Sequence, residues 1–155
     1  MRLDRIDRAL LAALQKDARA SNKELAAKVG LAPSSTLGRV RRLVAEGVLL
    51  GAHADVLPAA LGIGLQAMVV VRLDHHKDNT FDTFARHLET VPGVVASYHV
   101  GGVDDFLVHV AVRDADHLRD LLAQHVTSRP EVGRVRTEIV FEHHRRAVLP
   151  DYSGD

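Results

Sequence analysis

The sequence predicts an α+β protein in two parts: three helices, then a strand, helix, strand, strand, helix and strand. Three observations predict it. Up to residue 50 the apolar residues recur at spacings of three and four, whereas from Gly64 onward short apolar runs alternate with helical stripes. Charge changes sign at the same place. Residues 1–50 carry ten Lys and Arg against five Asp and Glu, and residues 51–155 carry ten against fifteen, although the whole chain is neutral. A weak internal repeat at an offset of 38 runs through the second part, matching Val70 with Val108, Phe84 with Leu122, Leu88 with Val126, Pro92 with Pro130 and Val94 with Val132.

Asp4 can cap the first helix, with Asp7 in its first turn and Ile6, Leu10, Leu11 and Leu14 on one face. Ser21 and Glu24 form a capping box that opens a second helix at Asn22. Leu25, Ala26 and Val29 give it an apolar side, and Gly30 supplies the left-handed residue that ends it. Pro33 suits the first position of a third helix, in which Leu37, Val40, Leu43 and Val44 are expected to face the core. Outward then lie Ser34, Ser35, Gly38, Arg39, Arg41 and Arg42. Two short helices joined by a tight turn, the second with a basic edge, make with the first helix a three-helix (winged) helix-turn-helix domain. Short hydroxyl residues at a helix start let backbone amides approach phosphate, and guanidinium forks match phosphate oxygens and guanine edges. Ser34, Ser35, Thr36, Arg39, Arg41 and Arg42 are therefore the candidate contacts to double-stranded DNA. Positive charge alone is common on solvated helices; the helix spacing favours the DNA reading.

Residues 1–50 form this first domain, and residues 51–63 a linker in which a helix stop leads to an extended strand and a turn. Residues 64–142 form the second domain. In it, residues 65–73 hold the continuous run Met68-Val69-Val70-Val71, residues 80–91 place Phe81, Phe84, Ala85 and Leu88 on one helical face, and residues 94–100 alternate. Residues 106–112 set Phe106, Val108, Val110 and Val112 on one side. Asp114 caps a helix with Leu118, Leu121, Leu122 and Val126 inward, and residues 132–141 alternate again. Two βαβ halves with right-handed crossovers put both helices on one face of a four-stranded antiparallel sheet, a ferredoxin-like βαββαβ arrangement. Its other face, also substantially apolar, predicts a dimer through this domain. Residues 143–155 are a tail without periodicity.

The loop Gly101-Gly102-Val103-Asp104-Asp105 sets flexible backbone amides beside two carboxylates, which suits an amino acid zwitterion. A plain tight hairpin explains the same residues, and on spacing alone it is the simpler reading. All ten histidines lie after residue 50. The pairs His75-His76 and His143-His144 are adjacent, so strand geometry points their rings apart and disfavours a shared metal ion. His99, near the acidic loop, is a candidate for titration at an interface. No catalytic constellation stands out, and neither a metal nor a cofactor is expected. The absence of cysteine and of any long apolar run predicts a cytoplasmic protein without a membrane span.

With these residues in place, the chain resembles the Lrp/AsnC (feast/famine) family of transcriptional regulators over nearly its whole length. Leu3-Asp4-Arg5-Ile6-Asp7, residues 15–19, Glu24-Leu25-Ala26, Val29-Gly30-Leu31, Pro33-Ser34, residues 39–43 and Glu46-Gly47-Val48-Leu49 carry the likeness in the first domain. In the second, Gly102 and Asp105 match the family's strand-turn-strand loop, and Thr137 matches a threonine of its last strand (the RAM/AsnC-type domain). The resemblance implies a DNA-binding regulator whose dimers associate further, often into octamers. It also implies that assembly or DNA affinity responds to a small molecule, usually an amino acid, with Gly102, Val103, Asp104, Asp105 and Thr137 as the expected effector residues. The sequence departs from the pattern at Ala32, where a serine N-cap is common, and at Gly38, His53, Gly101 and Val103. Two alternatives follow from the histidines: an enzyme like the sirohaem decarboxylases, which share this architecture, and a metal-responsive regulator.

Overall fold

The structure is a computed structural model that describes residues 3–74, 79–146 and 148–152. It divides into two compact units, Met1–Asp55 with His144–Asp155, and Val56–His143.

The first unit holds helices α1 (Arg5–Lys16), α2 (Asn22–Val29) and α3 (Pro33–Ala45). Asp4 caps α1 in a reciprocal box with Asp7, and Ser21 caps α2 with Glu24. Gly30, at φ 67°, ends α2, and the side-chain amide of Asn22 donates to the Pro33 carbonyl at 2.7 Å, which ties α2 to the start of α3. As expected from Ala32, α3 has no side-chain cap. Leu10, Ala13 and Leu25 form the centre of the core, with Ile6, Leu14, Val29 and Val40 packed against it.

Two expectations about helix faces are corrected. In α3 the buried residues are Thr36 and Leu43, while Leu37 and Val44 are 38% and 54% exposed. Thr36 can be buried because its hydroxyl donates to the Ala32 carbonyl one turn back, at 3.1 Å. In α1, Leu11 does not join the core; it lines a recess of about 160 Å³ shared with Val148 and Leu149 of the tail. Residues 50–57, expected to include an extended strand, form no strand pairing in a single chain; a short 3-10 turn follows at Pro58–Leu61.

The second unit is the four-stranded antiparallel sheet foreseen, with β1 (Leu65–Leu73), β2 (Val94–His99), β3 (Phe106–Val112) and β4 (Val132–Ile139) in the order β2-β3-β1-β4. Helices α4 (Thr80–Thr90) and α5 (Ala115–His125) cover one face. Its core runs through Ala67, Val69, Val71 and Leu73 of β1, Phe106, Val108, Val110 and Val112 of β3, and Phe84, Leu88, Leu118 and Leu121 of the helices. The repeat is faithful in the helices and at Val94 and Val132, which open β2 and β4 and both pack against the core, but it slips by one residue between β1 and β3. Val108 pairs with Val69 on the helix-covered face, whereas Val70 pairs with Leu107 and lies on the other.

Candidate functional site

The basic helix α3 is positioned by charge as well as packing. Asp7 is only 1% exposed, on the face of α1 that also buries Leu10 and Ala13, so its carboxylate requires cationic partners. It has two. Arg39 donates to Asp7 Oδ1 at 2.9 Å and to Asp4 Oδ2 at 2.6 Å, and Arg42 donates to Asp7 Oδ2 at 2.6 Å. Residues 39 and 42 are one turn apart, so both forks converge on α1. The amide of Asp7 and the Arg39 guanidinium hold the Asp4 carboxyl down at about 2, and the two carboxylates raise the Arg39 pKa.

The expectation that Arg39 and Arg42 both project outward is thereby corrected: each is turned toward α1 by a pairing demand that α3's own periodicity does not show. The guanidinium-bearing side chain of Arg42 remains 44% exposed, so part of it is still available to a partner. Thr36 is enclosed. Ser34, Ser35, Gly38 and Arg41 are exposed, and helical geometry sets Ser34, Gly38 and Arg41 on the side opposite Thr36 and Leu43. Asp7 was legible only as a first-turn acid; an Asp facing the apolar positions Leu10 and Ala13 was the signal for its partners.

In the second unit the acidic loop divides its two carboxylates between different tasks. Asp105 Oδ2 accepts the Leu73 amide at 2.7 Å, while its own amide donates to the Val71 carbonyl at 3.0 Å. Asp105 thus locks the loop to the end of β1. Asp104, by contrast, faces Arg136 of β4 at 3.7 Å, and Arg136 also donates to Glu138 at 3.1 Å. Gly102 sits at φ 145°, a conformation that favours glycine, and Val103 is 75% exposed. The β4 residue that reaches this loop is Arg136. Thr137 pairs with Val69 and so points to the helix-covered side, while Arg136 pairs with Val70 on the opposite face. Arg136 was missed in the sequence because its importance lies in a register between edge strand and centre.

Among the histidines, His99 stacks on Phe81 and Phe106 with centroids 4.7 and 5.0 Å away. His109 shares a 2.9 Å hydrogen bond with Gln66 and lies near His143; burial, then the His143 charge, lowers its pKa. Among the described residues no group of three or more His, Asp or Glu could hold a metal ion, and no helix is long and apolar enough to cross a membrane. His75 and His76 lie outside the described residues.

A helix-turn-helix unit followed by a ligand-scale α+β unit defines a two-unit DNA-binding regulator. Comparison with known proteins supports that class. Residues 3–44 match the AsnC-type helix-turn-helix domain, and residues 66–148 match the Lrp/AsnC ligand binding domain. The chain is 44% identical over 145 residues to the HTH-type transcriptional regulator AldR of Mycolicibacterium smegmatis, covering 94% of this chain and 85% of the relative. It is 36% identical to the leucine-responsive regulatory protein of Escherichia coli K12, covering 90% and 85%. It also matches a transcriptional regulator of Neisseria meningitidis, solved as a complex with L-Met, with a TM-score of 0.86, 27% identity and 96% of each chain covered. The chain belongs to the Lrp/AsnC family and is a transcriptional regulator, not an enzyme. None of these relatives is named as a decarboxylase or as a metal-responsive regulator.

Proposed function

We propose that the protein reads double-stranded DNA with the exposed side of α3 and responds to an amino acid held at loop 102–105. The observation that carries the DNA half is the division of labour among the arginines. Asp7 and Asp4 occupy Arg39 and part of Arg42, which fixes α3 on α1 and leaves Ser34, Ser35, Gly38 and Arg41 as the strip offered to a groove. Arg41 and the exposed side of Arg42 meet phosphates or base edges; Arg39 acts indirectly by holding the helix.

For the effector, the Asp104 and Arg136 pair is a matched set for a zwitterion. Asp104 takes the ammonium, and Arg136 with the glycine-loop amides takes the carboxylate. Support for an amino acid comes from the relatives, one named leucine-responsive and one solved with L-Met. Gly102 and Val103 complete the proposed site; Thr137, on the helix-covered side of β4, faces away from it. Asp105 shapes it from behind.

Assembly into a homodimer and then a larger oligomer is part of the same reading. It is supported by the sheet face left free of helices, where the half-buried Leu107 and Ala111 lie, and by the exposed Val95 and Tyr98 of β2. Light scattering on the purified chain tests it: a dimer or larger species is expected, and a monomer at micromolar concentration would contradict it.

Thermal-shift screening of the twenty amino acids tests the ligand half. At least one is expected to raise the melting temperature of the wild type, and Asp104→Ala is expected to abolish that shift. A shift unchanged in Asp104→Ala would place the ligand elsewhere.

A further inference from the structure

The tail of the chain belongs to the first unit, although it follows the last strand of the second. Val148, Leu149, Pro150 and Asp151 share a recess with Leu3, Arg8, Leu11, Ala12 and Gln15 of the α1 region. On α1 these residues lie opposite Asp7, Leu10 and Ala13, so this is a second face of the helix rather than an extension of the core. Polar contacts fix the tail in place. The Leu149 amide donates to Gln15 Oε1 at 2.8 Å, and Arg8 Nε lies 3.9 Å from the Asp151 carboxylate. The second contact is long and partly exposed, so the hydrogen bond and the apolar residues dominate.

We propose that residues 148–151 form a strap that docks on the outer face of α1 and closes a second connection between the ligand-binding unit and the DNA-reading unit. The chain crosses between units twice, after Asp55 and after His143. At the first crossing, residues 50–57 have no regular structure, and a tether of that kind alone leaves the reading helix many orientations to lose on binding DNA. The strap removes part of that freedom beforehand. For a regulator whose affinity depends on several reading heads held in register, a docked tail raises the effective concentration of the second head once the first is bound. This inference rests on the reading of the first unit as a DNA reader.

The test uses the full oligomer and a duplex obtained by selection from random sequence. A chain lacking residues 147–155, and Leu149→Pro, which removes the donor while keeping apolar bulk, are compared with wild type. Affinity is expected to fall about three- to tenfold at fixed salt, with the salt slope unchanged because no phosphate contact has gone. Unchanged affinity overturns the strap, and so does a shallower slope, which would put the tail on DNA. Loss of the oligomer in light scattering overturns it as well, by assigning the tail to assembly. Hydrogen exchange gives a readout independent of DNA: Gln15→Ala is expected to speed exchange of the Leu149 amide about fivefold. Equal exchange in wild type and Gln15→Ala removes the strap, whereas a wild type that binds no duplex removes the DNA reading instead.

Discussion

Arg39 of α3 donates to the Asp7 carboxylate of α1 at 2.9 Å, and with Arg42 on the other oxygen of the same group this contact decides which side of α3 is left for a partner. A buried acid in the first helix therefore orients the basic helix two elements later.

Replacing that acid by its neutral isostere tests the arrangement. Asp7→Asn keeps the shape and loses the charge, leaving two guanidinium groups facing an amide. Because both arginines are partly exposed and can rehydrate, the cost is expected to be about 1–3 kcal/mol, below that of stranding a fully buried charge. Chemical denaturation read on the helical signal of the first unit measures it; a change of a few tenths would mean the acid is not orienting α3.

The Asp4 clasp makes a prediction about acid. Its folded value of about 2 lies below the ordinary 3.8, so the carboxylate form is favoured by folding. That stabilisation is fully present above about pH 4 and is lost as pH falls toward 2. Asp4→Asn retains a capping oxygen but cannot titrate. The wild type is expected to lose more melting temperature than Asp4→Asn between pH 4 and pH 2, and parallel losses would remove the clasp as the cause.

Gly38 lies inside α3 with nothing beyond its chain neighbours and the helix's own backbone within 4 Å of the position a methyl group would take there, and its φ is not in the left-handed region. Gly38→Ala is expected to stabilise the first unit by about 0.5–1 kcal/mol through helix propensity. If the backbone at Gly38 approaches DNA closely, the same substitution weakens DNA binding while raising stability. Paired denaturation and binding titrations separate the effects; a loss of stability would contradict the open space seen there.

The two aspartates of the loop are expected to behave differently. Asp105→Ala leaves the Leu73 amide without its acceptor and costs the second unit about 1–3 kcal/mol. Asp104→Ala breaks only a long, partly exposed pair with Arg136 and costs under about 1 kcal/mol. Denaturation curves of the two variants compare them, and equal destabilisation would contradict the division of roles.

Much of the fold was legible because its signals are local. The capping residues Asp4, Ser21 and Asp114, the left-handed Gly30, the continuous apolar run of β1 and the alternation through β3 each declare an element within a few positions, and β1 and β3 lie where these signals put them. What was not legible depends on partners distant in sequence. Arg39 and Arg42 read as outward until Asp7, more than thirty residues earlier, is seen to need them. Asp105 reads as a ligand group until its carboxylate is found on the Leu73 amide. Arg136 reads as one of several exposed strand residues until the β1–β4 register brings its guanidinium to Asp104. In the tail only the run Val148-Leu149-Pro150 marks the residues that meet α1, and its partners Leu11 and Gln15 lie more than a hundred residues earlier.

The central claim is that α3 reads DNA through the side bearing Ser34, Gly38 and Arg41 while Arg39 holds the helix in place. Salt-dependent titration of a selected duplex with wild type and Arg41→Ala tests it most directly. Arg41→Ala is expected to bind more weakly, to show a salt slope reduced by about one per reading head engaged, and to melt at the wild-type temperature. Wild-type affinity and an unchanged slope in Arg41→Ala would contradict it.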